Sequence, residues 1–573
     1  MADTDRESAP PTLAEATETL TAPGQMFEMD EVDIRGVRTK VWKNAPATLA
    51  DCLRLSRGHG EKVFLVYEDE QITFDQHFRA AAHLAHLLRD RFGVREGDRV
   101  AIAMRNYPEW SVAFWGAAAA GAVVVPLNSW WTGEELQYGL EDSGTTVLFA
   151  DGPRAASIAP YRSSLPDLSA MVVARAAAGD LPEGALSWES VLGAVPEEID
   201  LPTISLDTDD DATIFYTSGT TGRPKGALGT HRNICTNPIS LYYVNARATL
   251  RAGASPGAPG VGEQNAYLLS VPLFHATGCH SILVGNLLAG GKLVMMYRWD
   301  AGRALELIER ERITTFGGVP TMVLQVLDHP DFAKRDTSSV KSVGYGGAPA
   351  PPELVKRIKE HFNSSPASNG YGLTETSSLS TMNSGDDYLA KPDSVGPPVP
   401  VVTVKVVDPD GREVPVGEIG ELWIKGPNVV KGYWNKPEAT AAVFTDGWLH
   451  TGDVARLDDE GFVYIVDRAK DMLIRGGENV YCVEIEGVLY EHPAVAEAAV
   501  IGIPHPTLGE EVGAVVTLLP GTSVSEKEIQ DFVAARLAAF KVPVKVWFYE
   551  RELPRNPAGK VLKRDLRDAL VSP

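Results

Sequence analysis

The chain has 573 residues, enough for three to four domains of ~150 residues and for large cores that need no disulfide or metal staple. Its 44% hydrophobic, 23% charged and 8% aromatic content excludes a mostly disordered or fibrous protein. Against 53 Lys and Arg stand 76 Asp and Glu, and the net charge of −23 argues against broad electrostatic binding to nucleic acid or anionic lipid.

Residues 1–25 are polar, with Pro10-Pro11 and Pro23-Gly24, and read as a mobile arm. The acidic start Met1–Glu7 has no apolar run after it and is no secretory signal. His77–Phe92 reads as a helix with Phe78, Ala81, Ala82, Ala85 and Leu88 on one face, and Val100–Met104 as a strand. The uncharged run Trp110–Gly133 is long enough to cross a bilayer. Ala117–Ala120 is only weakly apolar, however, and Pro126, Asn128, Ser129 and Thr132 interrupt the run. An Ala-rich helix and a short buried strand, Val123–Val125, are expected there instead. The Gly-, Pro- and Ala-rich stretch 251–263 is expected to be an exposed loop. Strands follow at Val402–Val407, Glu421–Ile424 and Phe462–Val466.

From Asp471 the pattern is that of a separate small α+β unit. It has strands at Ala498–Ile503, Gly513–Leu519 and Lys545–Tyr549 and a helix over Glu526–Ala539. The fold class is therefore α/β: a large N-terminal region of layered sheets and helices with a small mobile C-terminal α+β domain. Boundaries are expected at 1–25 (arm), 26–469 (large domain) and 470–573 (lid). Cys52, Cys235, Cys279 and Cys482 are far apart and form no CxxC pair, which fits a reducing, cytoplasmic compartment rather than a disulfide or zinc framework.

The apolar strand Ala212–Tyr216 leads into Thr217-Ser218-Gly219-Thr220-Thr221-Gly222-Arg223-Pro224-Lys225-Gly226. Its glycines permit tight turns that bring N–H groups close to an anion, its hydroxyls add donors, and Lys225 adds a positive charge, all suited to a polyphosphate. No Gly-Lys-Ser/Thr closes the loop, so it is not a Walker motif. Composition alone would equally describe a surface loop. The order of residues, however, resembles the signature loop of the adenylate-forming superfamily, which includes acyl-CoA synthetases, aryl-CoA ligases, luciferases and peptide-synthetase adenylation domains.

Further segments extend that resemblance over roughly residues 50–570. Asn369-Gly370-Tyr371-Gly372-Leu373-Thr374-Glu375 resembles the family's aromatic-Gly-x-Thr-Glu motif, with an aromatic for a base, a hydroxyl and a carboxylate for Mg2+. Gly346-Gly347-Ala348-Pro349 resembles its adenine-flanking turn. Trp448–Asp453 looks like the segment whose aspartate, here Asp453, takes the ribose hydroxyls. Asp467-Arg468-Ala469-Lys470-Asp471 resembles the domain boundary, with Arg468 toward the ribose and Lys470 at the hinge. Pro554-Arg555-Asn556-Pro557-Ala558-Gly559-Lys560 resembles the C-terminal motif that carries the catalytic lysine, Lys560.

The resemblance implies an ATP- and Mg2+-dependent activation of a carboxylic acid to acyl-AMP, followed by transfer to coenzyme A. Glu375 and Thr217 would hold Mg2+, the 217–226 loop the departing phosphates, and Lys560 the carboxylate and α-phosphate. The small domain would then swing about Lys470 and bring Arg475-Gly476-Gly477-Glu478-Asn479 to the site. Gly476 and Gly477 would pass the pantetheine arm, and Asn479 would stand near the nucleotide.

Val271-Pro272-Leu273-Phe274-His275 resembles the segment that closes the acyl pocket, where His275 stacks on the acyl carboxylate, gates the pocket or simply packs. Ile474 stands where plant aryl-CoA ligases and luciferases usually carry Lys, and Thr374 where fatty acyl-AMP ligases usually have Ala. These departures favour a stand-alone ligase of medium- or long-chain fatty acids. Alternatives are a ligase of aromatic acids and an enzyme that loads a carrier protein. A monomer or homodimer with at most peripheral membrane contact is expected, with no nucleic-acid partner.

Overall fold

The computed structural model describes residues 10–177, 179–217, 223–257, 262–347, 352–362, 367–476, 478–556 and 559–571. Two eight-stranded sheets organise the large region. In the first, Asp211–Thr217, Val123–Pro126, Arg99–Ala103, Thr145–Asp151, Ala170–Ala174 and Leu186–Ser187 run parallel in that spatial order. In the second, the parallel run is Ala367–Tyr371, Ser342–Gly346, Thr315–Gly318, Ala266–Leu269, Lys292–Met295 and Val63–Tyr67. Antiparallel strands finish both edges of the second sheet and the phosphate-loop edge of the first.

One core joins the sheets through the helices Leu49–Ser56, Phe74–Asp90 and Pro108–Ala119. The last of these is buried on nearly every side, Trp110 and Trp115 included, because it has no polar face to show to water. The uncharged run is thus a buried helix followed by the buried strand Val123–Pro126, as its composition indicates. Among the described residues no helix is long and apolar enough to cross a membrane.

Part of the expected N-terminal arm is a docked helix. Leu13–Thr21 begins with a capping box in which Thr12 and Glu15 satisfy each other's backbone N–H groups. It seats Ala16 and Leu20 beside the helix His231–Arg251, where the Thr17 and Tyr243 hydroxyls lie 2.8 Å apart and Arg251 donates to the Pro11 carbonyl.

A five-stranded antiparallel sheet, Thr403–Val407, Gly420–Lys425, Trp448–Leu457, Phe444–Thr445 and Val463–Arg468, completes the large region. Residues 469–472 connect Arg468 to Leu473, where a second five-stranded sheet begins. This sheet is built on Val495–His505 paired with Gly509–Leu518 and is backed by the helices Cys482–Tyr490 and Glu526–Ala534. The latter helix ends five residues before the expected Ala539, and a single 3-10 turn occupies Ala539–Lys541.

Candidate active site

The neighbouring parallel strands of the second sheet end at Gly318, Gly346 and Tyr371, and the candidate groups gather beyond these carboxyl ends, where open α/β sheets place ligands. Backbone packing there demands glycine. A Cβ on Gly372 would stand 1.4 Å from the Ser378 carbonyl oxygen, and one on Gly346 would stand 2.3 Å from that of Gly370. The chain after Gly372 makes the 3-10 turn Thr374–Thr376 and then passes through left-handed conformations at Ser377 (φ +51°) and Ser378 (φ +94°). These two strained residues turn the backbone back so that Glu375 stays at the strand end.

Asn369, Gly370 and Tyr371 lie on the strand Ala367–Tyr371, and Gly347 follows the adjacent strand with φ +76°. The Tyr371 hydroxyl donates to Asp453 Oδ2 at 2.6 Å, and Arg468 Nε lies 3.2 Å from Asp453 Oδ1. Antiparallel pairing sets Arg468 opposite Asp453 on Val463–Arg468 and Trp448–Leu457. The buried Asp453 carboxylate is therefore held by a phenol and a guanidinium. Burial, and then the Asp453 charge, push the Tyr371 phenol well above its ordinary value.

The motif that begins at Thr217 follows one strand of a hairpin. Asp211–Thr217 and Lys225–Thr230 pair antiparallel up to Thr217 opposite Lys225. Ser218, Gly219, Thr220, Thr221 and Gly222 lie outside the described residues, as do Ala348, Pro349 and Gly477. Lys225 Nζ stands 5.1 Å from the ring centroid of Tyr433, whose hydroxyl donates to Glu375 Oε1 at 2.7 Å. Tyr433 is a contact that sequence reasoning missed. Its only local signal is the Gly432-Tyr433-Trp434 triplet before Pro437.

Among the described residues no group of three or more His, Cys, Asp or Glu side chains is placed to hold a metal. A Mg2+ ion bound mainly through substrate phosphates and water needs only one or two protein oxygens, and the Glu375 carboxylate and the Thr217 hydroxyl are of that chemistry.

The small domain reaches across to this site. Asn556 folds the turn that carries Lys560: its side chain accepts from the Lys560 N–H at 2.9 Å, and its backbone N–H donates to the Lys560 carbonyl at 2.8 Å. Arg555 pairs with Glu497 and donates to the Gly559 carbonyl. The turn rests on Val319, and a Cβ on Gly559 would stand 2.6 Å from Val319 Cγ2. Lys560 is half-buried there, within electrostatic range of Arg468, Asp471, Asp453 and Lys470. Burial, and then the Arg468 charge, push its pKa down to about 8. Lys470 is lowered by the same two causes.

His275 follows the strand Ala266–Leu269, and its ring stacks obliquely on Phe274 at 4.7 Å. Its segment is pinned by Asn106, which donates to the Val271 carbonyl and accepts from the Leu273 N–H. Burial lowers its pKa to about 4, so the ring is neutral near pH 7, and its Nε2 has no hydrogen-bond partner among the described residues. A neutral imidazole with an open ring nitrogen can meet an incoming polar group.

The hairpin formed by Leu473–Arg475 and Glu478–Val480 behaves differently. It pairs with Gly509–Leu518 of its own domain, Gly476 (φ +60°) and Asn479 are exposed, and among the described residues no hydrogen bond or ion pair joins Asn479 to the Asp453 cluster. The structure thus brings Glu375, Tyr371, Asp453, Arg468 and Lys560 together and leaves Gly476 and Asn479 outside.

Comparison with known proteins agrees with this geometry. Residues 54–434 match the AMP-binding enzyme family, and residues 484–560 match the AMP-binding enzyme C-terminal domain. The chain is 38% identical to a feruloyl-CoA synthase of Amycolatopsis sp over 496 residues, 87% of this chain and 93% of that protein. It is 36% identical to the long-chain-fatty-acid–CoA ligase FadD13 of Mycobacterium tuberculosis over 507 residues, with the same two coverages. Among solved structures, the anthranilate CoA ligase AuaEII bound to anthranoyl-AMP matches with a TM-score of 0.81 at 29% identity, over 91% of this chain and 97% of that one. ATP-bound MatB from Rhodopseudomonas palustris matches with a TM-score of 0.78 at 32% identity, over 90% and 98%. The chain belongs to the AMP-binding enzyme family, as an AMP-forming acid–CoA ligase that takes a carboxylic acid, ATP with Mg2+ and coenzyme A.

Proposed function

We propose that this enzyme activates a medium- or long-chain fatty acid, in two half-reactions served by two positions of the small domain, in a cytoplasmic setting that keeps its four thiols reduced. The observation that supports the first half-reaction is Gly559 seated on Val319, which leaves Lys560 half-buried within electrostatic range of Asp453 and Arg468. In this position Lys560 bridges the acid carboxylate and the α-phosphate as negative charge shifts between them. The carboxylate oxygen attacks the α-phosphorus, the bond to the β-phosphate oxygen breaks, and acyl-AMP and pyrophosphate result. Lys225 and the 217–226 loop orient the departing pyrophosphate, Glu375 and Thr217 would hold a Mg2+ ion that would supply positive charge to it, and Asp453 and Arg468 fix the ribose. Asn369, Gly370, Gly372 and Thr374 shape the adenylate's surroundings, and Gly347 with Ala348 and Pro349 flanks the base.

In the second half-reaction the coenzyme A thiol attacks the acyl carbonyl carbon and AMP leaves. Lys560 in its adenylation position obstructs that approach, so the lid, 470–573, turns about Lys470 and presents Gly476, Gly477 and Asn479. His275 borders the acyl entrance. Ile474 in place of the lysine usual in plant aryl-CoA ligases and luciferases, together with the FadD13 likeness, supports an aliphatic acid. The feruloyl-CoA synthase and anthranilate ligase likenesses support an aromatic one as a second reading. Pyrophosphate release measured for octanoate, palmitate, ferulate and anthranilate, each with and without coenzyme A, separates the two. Higher kcat/KM for the fatty acids upholds the first reading, and higher kcat/KM for the aromatic acids replaces it. Release without coenzyme A that becomes multiple-turnover only with a carrier protein would overturn both.

A further inference from the structure

Tyr433 lies on the two-residue edge strand Gly432–Tyr433, which pairs antiparallel with Lys225–Thr230 through Ala227 opposite Tyr433. The flanking backbone fixes the strand tightly. The Lys431 N–H donates to the Leu228 carbonyl and the Trp434 N–H to the Gly226 carbonyl, at 2.9 and 2.7 Å. The Tyr433 N–H donates to Thr440 Oγ1, and the Val430 N–H to the Glu375 carbonyl. Beyond it, Trp434 and Lys436 both reach Asp142, which also accepts from the Tyr216 hydroxyl at the base of the phosphate loop.

The segment is therefore tied to both the phosphate hairpin and the Glu375 turn, and Tyr433 is the side chain placed between them. Its hydroxyl reaches Glu375 Oε1 at 2.7 Å, and its ring lies under Lys225 Nζ at 5.1 Å and packs on Phe444.

We propose that Tyr433 is a positioning residue that couples the two charged groups of the nucleotide site, its hydroxyl aiming the Glu375 carboxylate at the divalent cation and its ring holding Lys225 toward the phosphates. A hydrogen bond to one carboxylate oxygen fixes the rotamer and turns the other oxygen toward the ion, which is how outer partners tune metal ligands. This inference rests on the reading of Glu375 as a cation ligand given above.

The test measures Mn2+ affinity by electron paramagnetic resonance in the full-length protein with α,β-methylene-ATP, for wild type, Tyr433→Phe, Tyr433→Leu and Glu375→Gln. Tyr433→Phe keeps the ring and its packing, so loss of fold is not expected. It should weaken Mn2+ binding about 10–100-fold and leave thioester formation from synthetic acyl-AMP and coenzyme A unchanged. Tyr433→Leu should in addition weaken metal-free binding of the nucleotide analogue, because the ring under Lys225 is gone. Wild-type Mn2+ affinity in Tyr433→Phe, with loss in Glu375→Gln, overturns the coupling and leaves Tyr433 as packing. Wild-type affinity in Glu375→Gln instead overturns the ligand reading beneath it. Equal nucleotide binding by the Phe and Leu variants overturns the role of the ring.

Discussion

The two ends of the small domain stand in opposite conditions. Asn556 braces Lys560, Arg555 pairs with Glu497 and donates to Gly559, Gly559 lies on Val319, and Lys560 stands half-buried within electrostatic range of Arg468 and Asp453. The hairpin carrying Gly476 and Asn479 is exposed and pairs only with its own sheet among the described residues. In this structure Lys560, proposed for adenylation, stands near Asp453 and Arg468, and Gly476 and Asn479, proposed for thiol entry, are exposed away from them.

The largest expected effect separates the two ends most sharply. Lys560→Ala should slow acyl-AMP formation about 10²–10³-fold, as losing a preorganised charge costs ~3–4 kcal/mol at the transition state. Thioester formation from supplied acyl-AMP should stay near wild type, as a pair of half-reaction assays would reveal; equal slowing of both would merge the two ends into one role.

Gly372→Ala should come next. Its methyl group would overlap the Ser378 carbonyl, which has no room to retreat inside the left-handed Ser377–Ser378 turn. A destabilisation of about 1–3 kcal/mol by denaturant unfolding, with a raised KM for MgATP, is expected. Unchanged stability would mean that the turn is slack.

Asn479→Ala should be milder and confined to the other half. It should slow thioester formation by about fivefold, the worth of one ordinary hydrogen bond, and leave adenylation untouched. An adenylation defect of similar size would place Asn479 at the nucleotide in this pose after all.

The smallest effect is a proton count. With its pKa near 8 rather than 10.5, Lys560 in the observed position binds fewer protons than in the unfolded chain between those values. The closed pose without nucleotide is thus penalised below about pH 8, and the penalty lifts as pH rises toward 10.5. ATP phosphates beside Lys560 should restore its proton, so ATP binding at pH 8 should take up about half a proton. Calorimetry in buffers of different ionisation enthalpy would detect this uptake, and its persistence in Lys560→Ala would assign it elsewhere.

Much of this arrangement is legible in the sequence because its causes are local. The face of Phe78, Ala81, Ala82, Ala85 and Leu88 marks the helix Phe74–Asp90, and Val123–Val125 before Pro126 marks a buried strand. The Gly372 and Glu375 motif is likewise carried by contiguous residues. What escapes the sequence is set by distant partners. The helix Leu13–Thr21 has few apolar residues of its own, and its stability comes from the helix His231–Arg251 more than 200 positions away. The Tyr371–Asp453 bond spans 82 positions and the Tyr433–Glu375 bond 58. The contact of Gly559 with Val319 joins residues 240 positions apart, and no spacing of residues encodes it.

That contact offers the most direct test. The Cβ positions of Val319 and Gly559 are 3.7 Å apart, within the range a disulfide spans, and the four native cysteines are buried and free. The double variant Val319→Cys, Gly559→Cys, loaded with ATP and acid, oxidised and then started with Mg2+, would hold the lid in the observed pose. Acyl-AMP and pyrophosphate should form in a single turnover, thioester should not follow on adding coenzyme A, and reduction of the bond should release it. Thioester formed at the reduced enzyme's rate while the bond is intact, or an oxidised enzyme unable to make acyl-AMP, would contradict the assignment of this pose to adenylation alone.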